Sequence, residues 1–188
     1  MEDQLRSLVA QDEKLLWVGH PEPFDTMDKT NKNSLIFGII LKLAAIAGCL
    51  TLYINPALAS NGIRHIPVIA ILAFGAYALA NPFLVAARLR SRTLYGLTDK
   101  RILRAGTNEG SVPYADIRSA VLRTDADGHT SLLCGDRTKK LKPRQWRLEA
   151  DAAFINKPDG PEDQRVVLYA IPADKELKAL LNKYLHVQ

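Results

Sequence analysis

The chain reads as a two-helix membrane hairpin joined to a mainly antiparallel β domain that ends in an α-helix. Three observations carry this. Two apolar runs without an acidic residue, Leu35 to Ile54 and Ile66 to Ala87, lie close together. From residue 92 the pattern changes to short alternating runs between turn residues, and after Pro172 the apolar period becomes helical. The mean hydropathy of -0.07 hides the first of these, because charges run through the remainder of the chain.

The N-terminal segment, residues 1–33, begins MEDQLRSLVAQDEK, acidic and polar. It lacks the basic start and adjoining apolar core of a cleaved signal peptide, so the first apolar run is read as a retained anchor. The stretch EKLLWVGHPEP is extended and punctuated by proline. Leu15, Leu16, Trp17 and Val18 are expected to add an edge strand to the β domain. Trp17 is then a core or rim anchor, the alternative being an interfacial membrane contact.

Residues 34–88 form the hairpin. At about 1.5 Å per residue each run reaches about 30 Å as a helix, the thickness of a bilayer's hydrocarbon. The connection NPALASNGIRH is rich in turn formers. Only Arg64 lies on its outer side, whereas Lys29, Lys32, Arg88, Arg90, Arg92, Lys100, Arg101 and Arg104 flank the other ends. Positive flanks stay in the cytoplasm, which places both termini there. Lys42 and Asn81 sit at matching depths, and a hydrogen bond between them would satisfy both polar groups. The alternatives are that Lys42 snorkels to the head groups and that Asn81 answers a carbonyl freed by Pro82. Ala44 with Gly48, and Ala76 with Ala80, are small residues at four-residue spacing, which lets two helices or two copies of the chain approach closely.

The β domain, residues 92–188, starts with TLYGLT (93–98), turns at Asp99 and Lys100, and returns as RILRAG (101–106). After a TNEG turn (107–110), SVPYADIRSAVLRTD is read as one extended stretch with Ile117, Val121 and Leu122 inward. TSLLCG (130–135), WRLEADAAFI (146–155) and RVVLYAI (165–171) are read as further strands of a meander. Leu177, Leu180, Leu181, Tyr184 and Leu185 then mark one apolar stripe of a helix over about 174–186. Asp174 is its expected N-cap, and Glu176 lies in the first turn.

The charge of +5 is unevenly spread. Residues 88–147 hold fourteen basic and six acidic side chains, whereas the segments before the hairpin and after residue 147 are acidic. Within this part Arg137, Lys139, Lys140, Lys142 and Arg144, with Trp146 among them and Arg147 beside it, form a candidate anion or lipid contact: cations meet phosphates and an indole settles at the acyl boundary. The plainer reading is a solvated loop. Arg88, Arg90 and Arg92 are the candidate juxtamembrane anchor. One aromatic makes a poor stacking platform, so nucleic acid is not expected as a partner. A membrane or cytoplasmic protein with an acidic face is an alternative to lipid.

No catalytic residues, metal ligands or cofactors are expected. His20, His65, His129 and His186 show no metal-binding spacing, and no nucleophile elbow, phosphate loop or dinucleotide fingerprint occurs. Cys49 falls inside the first run and Cys134 in the β domain, so no disulfide framework is implied.

Three short motifs carry a resemblance. Glu13, Leu15, Trp17, Gly19 and Pro21 follow an E-x-L-x-W-x-G-x-P opening; Tyr95, Leu97, Thr98, Asp99 and Arg101 follow Y-x-L-T-[DN]-x-R; Val112, Pro113 and Ile117 follow V-P-x-x-x-I. Their order around the hairpin resembles bacterial membrane proteins with a pleckstrin-homology-like domain. The resemblance implies a bent antiparallel barrel capped by the C-terminal α-helix, on the cytoplasmic face of a bacterial inner membrane, and no catalytic residues. The function expected is a non-enzymatic binding or scaffolding module for anionic head groups or a protein partner. The alternative is an accessory structural subunit of a larger complex, or a homo-oligomer.

Overall fold

The computed structural model describes residues 1–59, 65–106, 108–152, 165–172 and 174–185. Helix α1 (Glu2–Leu8) and strand β1 (Leu15–Gly19) precede two long helices, α2 (Lys32–Ala59) and α3 (His65–Arg92). Strands β2 (Thr93–Thr98), β3 (Arg101–Gly106), β4 (Gly110–Pro113), β5 (Ala120–Thr124) and β6 (Thr130–Cys134) follow. Helix α4 (Pro143–Asp151), strand β7 (Val166–Leu168) and helix α5 (Lys175–Leu185) complete the order. The hairpin connection around Arg64, the PDGPEDQ loop and His186 lie outside the described residues.

Helices α2 and α3 are long and apolar enough to cross a membrane. Their outer faces carry large bare side chains: Phe37 is 68%, Leu52 79%, Ile66 81% and Phe74 73% exposed. Gly75 of α3 is buried against α2, where an added Cβ would stand 2.6 Å from Ile46 Cδ1. The contact does not use the small residues expected there. Gly48 faces open space, and Ala44, Ala76 and Ala80 lie on exposed faces.

The strands form two antiparallel sheets, in orders β1-β2-β3-β4 and β5-β6-β7. β1 is an edge strand on β2, with Trp17 opposite Leu97 and Gly19 opposite Tyr95. Among the described residues the two sheets do not close into one barrel. The stretch read as continuous from Ser111 breaks at a 3-10 turn, Tyr114–Asp116, between β4 and β5. Leu122 and Ile117 pack into the space between the sheets, whereas Val121 packs on the opposite face of β5.

Residues 146–151 are helical, not a strand. Trp146, Leu148 and Ala150 alternate as a strand would, but Trp146 and Ala150 are also one helical turn apart and are the apolar pair that is buried. Pro143 stands at the first turn, and Gln145 Oε1 accepts the Lys142 N–H at 2.9 Å, so the start is stabilised locally.

Three apolar layers result. Tyr95, Leu97 and Ile102 meet Leu132, Cys134 and Leu168 between the sheets, and Leu177, Leu181 and Leu185 of α5 cover them. Asp174 Oδ1 accepts the Leu177 N–H at 2.6 Å as that helix's N-cap. On the outer face of the four-stranded sheet, Leu5 of α1 packs with Leu94, Leu103 and Ala105. Gly96 leaves the room: a Cβ there would stand 2.9 Å from Leu5 Cδ2. On the outer face of the three-stranded sheet, Leu133 and Val167 meet Val85, Ala86 and Leu89 of α3 and Trp146 and Ala150 of α4.

Candidate functional site: the junction of the long helices and the β domain

The last turns of α3 belong to the β-domain core, and β2 begins at the residue after α3 ends. Polar contacts fasten the same joint. Arg88 Nη2 meets Asp151 Oδ2 at 2.5 Å. Arg90 Nη1 donates to the Phe24 carbonyl at 3.2 Å and its guanidinium lies 5.6 Å over the Phe24 ring. Arg92 is exposed. Buried Arg104 donates from Nη1 and Nη2 to the Ala150 and Ala152 carbonyls, placing a cation at the C-terminal end of α4 where the helix dipole favours it. Its burial lowers its pKa from the ordinary arginine value.

Next to this joint lies a buried polar cluster. Arg147 of α4 pairs with Asp28 and donates to Tyr169 Oη at 2.9 Å and to the Thr26 carbonyl at 3.2 Å. Its guanidinium also lies 4.4 Å over the Phe24 ring. Tyr169 Oη donates to Asp125 Oδ2 at 3.2 Å, and burial pushes the phenol pKa up. Ligating atoms of Asp28, Asp125 and His129 lie within 4.8 Å of one another. Asp28 is already matched by the Arg147 guanidinium, and Asp125 Oδ1 accepts the N–H groups of Asp127 and His129. The arrangement is therefore an ion-paired network with an internal cation in place.

Between α2, α3 and α4, below this cluster, is a cavity of about 370 Å³. Ser34, Leu35 and Lys42 line it from α2, and Asn81, Pro82 and Val85 from α3. Arg144, Gln145, Arg147 and Leu148 close it from α4, with Thr26 and Asn31 beside them. Three lining side chains are cationic and none is acidic. Arg147 is compensated by Asp28. Arg144 and Lys42 meet neutral oxygens: Arg144 Nη1 donates to Ser34 Oγ at 3.2 Å and Lys42 Nζ to the Ala78 carbonyl at 2.6 Å.

The Lys42 contact has a local cause. Pro82 has no N–H, so the carbonyl four residues earlier, that of Ala78, loses its helical donor. Lys42 supplies it. The expected bond to Asn81 is replaced by this one, and both side chains instead face the same cavity.

The structure brings Lys42, Asn81 and Arg144 together and separates them from the rest of the expected basic loop. Arg137, Lys140 and Lys142 are exposed, while Lys139 is partly buried with Nζ 3.9 Å from Asp136. Trp146 is no interfacial aromatic. It is 1% exposed, and its Nε1 donates to the Leu141 carbonyl at 3.2 Å. The indole is drawn inward because it fills the space between α4, α3 and β6. Arg147, singled out only as one more cation, is buried with it. Its partner Asp28 is 119 residues away, a distance at which no local pattern signals the pair.

Comparisons with protein-family models, with curated proteins and with solved structures return no match.

Proposed function

We propose that the chain is a membrane-anchored, non-enzymatic binding module whose β domain is seated at the cytoplasmic leaflet and contacts anionic lipid head groups. The observation that carries this reading is the pairing of bare apolar helices with a cation-lined junction. Outward Phe37, Leu52, Ile66 and Phe74 form a surface that water does not tolerate and lipid tails do. The polar side of the joint then lies at head-group level. There the exposed Arg137, Lys140, Lys142 and Arg144 are attracted to an anionic leaflet at roughly 1 kcal/mol each. Tethering makes such contacts intramolecular, so weak intrinsic affinity suffices. The two facing antiparallel sheets and α5 over their shared core support the pleckstrin-homology-like assignment.

The test is fractionation of cells carrying the full chain with a reporter at Gln188. The reading expects the protein to stay in the membrane pellet through an alkaline carbonate wash, with the reporter active in the cytoplasm. Release into the supernatant, or a reporter outside the cell membrane, overturns it.

A further inference from the structure

The cavity between α2, α3 and α4 combines features that a solvated basic surface lacks. Arg144 and Lys42 stand at its two ends, and neither has a carboxylate partner among the described residues. Ser34 and Lys42 are eight residues apart on α2, so the cavity reaches about 12 Å along the helices. Asn81 and Pro82 line its inner end near Lys42, and its outer end lies beside the first turns of α4. A cation at such depth is costly unless an anion or several acceptors meet it, and the Ala78 carbonyl supplies one bond.

The apolar part of the wall has its own message. Leu35 and Val85 line the cavity from the long helices, and Leu148 of α4 lines it while 61% exposed. A leucine left bare beside Arg144 fits a ligand that is charged at one end and hydrocarbon at the other. At about 370 Å³ the space lies within the range of sites that hold small molecules.

We infer that this cavity takes the head group of one anionic glycerophospholipid, its phosphate on Arg144 and the Ser34 hydroxyl at the mouth and its head-group hydroxyls toward Asn81 and Lys42 at the inner end. Its acyl chains leave past Leu148 into the bilayer. The inference rests on the proposed membrane anchoring and adds to it a discrete, stoichiometric site. A phosphodiester that carries a hydroxylated head group matches a guanidinium and a hydroxyl at one end and an ammonium and an amide at the other.

Full-length protein in dodecyl maltoside is titrated with dihexanoylphosphatidylglycerol, with the phosphatidylcholine of the same chain length, and with inorganic phosphate, and retained molecules are counted by native mass spectrometry. One phosphatidylglycerol per chain is expected, bound at least about tenfold tighter than either competitor. Arg144→Gln and Lys42→Met should each weaken it about fivefold or more, with Lys42→Arg restoring affinity in a folded protein. Arg123→Gln and Lys178→Gln, exposed and outside both the cavity and the basic loop, should leave it unchanged. Equal retention of the two lipids, or equal losses from all these variants, overturns the site. Inorganic phosphate bound as tightly as the lipid assigns the cavity to a free anion and overturns the lipid. A protein that resists carbonate yet shows no preference for phosphatidylglycerol refutes this inference while leaving the anchoring intact.

Discussion

Arg147 carries a charge in the interior that one carboxylate balances, and this makes Asp28 more important to the fold than its place in a connecting segment indicates. With Asp28→Asn the guanidinium keeps Tyr169 Oη and the Thr26 carbonyl but loses its counter-charge. The expected cost is about 3–5 kcal/mol, read as a lower midpoint of thermal or denaturant unfolding in detergent. An Asp28→Leu, Arg147→Met double variant should recover part of it, because removing both charges removes the desolvation penalty as well. The motif residues behave similarly, as parts of the scaffold. Thr98 Oγ1 accepts the Lys100 and Arg101 N–H groups in the β2–β3 turn, and Arg101 Nε pairs with Glu13 Oε1 at 2.9 Å. Gly19 makes room for the Trp17 indole, which a Cβ would approach to 2.3 Å. These residues build the joints of the β domain, which is why they say little about a ligand.

At the level of elements, the pair α2 and α3 is coupled through a defect in one of them. Pro82 frees the Ala78 carbonyl and Lys42 answers it, so the two positions should be energetically linked. Lys42→Met is expected to destabilise the protein by about 1 kcal/mol, within the range measured for polar contacts between membrane helices. In a Pro82→Ala background, where a backbone N–H returns to Ala78, the same substitution should cost less. A double-mutant cycle on detergent unfolding measures the difference; equal costs in both backgrounds would show that the contact does not respond to the proline. Both long helices and most strands were legible from apolar length and period. Helix α4 was not, because Trp146 and Ala150 satisfy both periods over so short a stretch and Leu148 between them completes an alternation. The arbiters, Pro143 and Gln145, were present but lay outside the alternating run. Helix α1 has seven residues and buries Leu5 alone from its length, too little apolar pattern to announce itself.

For the molecule as a whole, a boundary at residue 92 divides a structure that is continuous. Strand β1, Phe24 and the α3 residues Val85, Ala86 and Leu89 all complete the β domain's sheets and core. Three buried or half-buried tyrosines belong to these cores, and each has its pKa raised chiefly by burial, Tyr95 to about 12. An unfolded tyrosine loses its proton near pH 10. The neutral phenol is the form the fold favours, so this contribution is complete below about pH 10 and is lost as pH rises toward about 12. Absorbance titration of the full chain in detergent should show Tyr95, Tyr114 and Tyr169 ionising later than ordinary phenols, together with loss of folded signal. Normal titration of all tyrosines in a still-folded protein would contradict the burial.

The sequence by itself determined where the long apolar helices lie, that a β-rich part follows and that a one-faced helix comes near the end, because period and composition report which side of an element avoids water. It also placed the cations. What each of them meets was decided only in three dimensions: Arg104 turns onto the end of α4, Arg147 onto Asp28 and Lys42 onto the Ala78 carbonyl, while the exposed Arg144 lines the mouth of the same cavity as Lys42. A long basic side chain can lie in solvent or reach a buried acceptor. Its choice depends on partners that chain folding brings from as far as 119 residues away, and no local period encodes them.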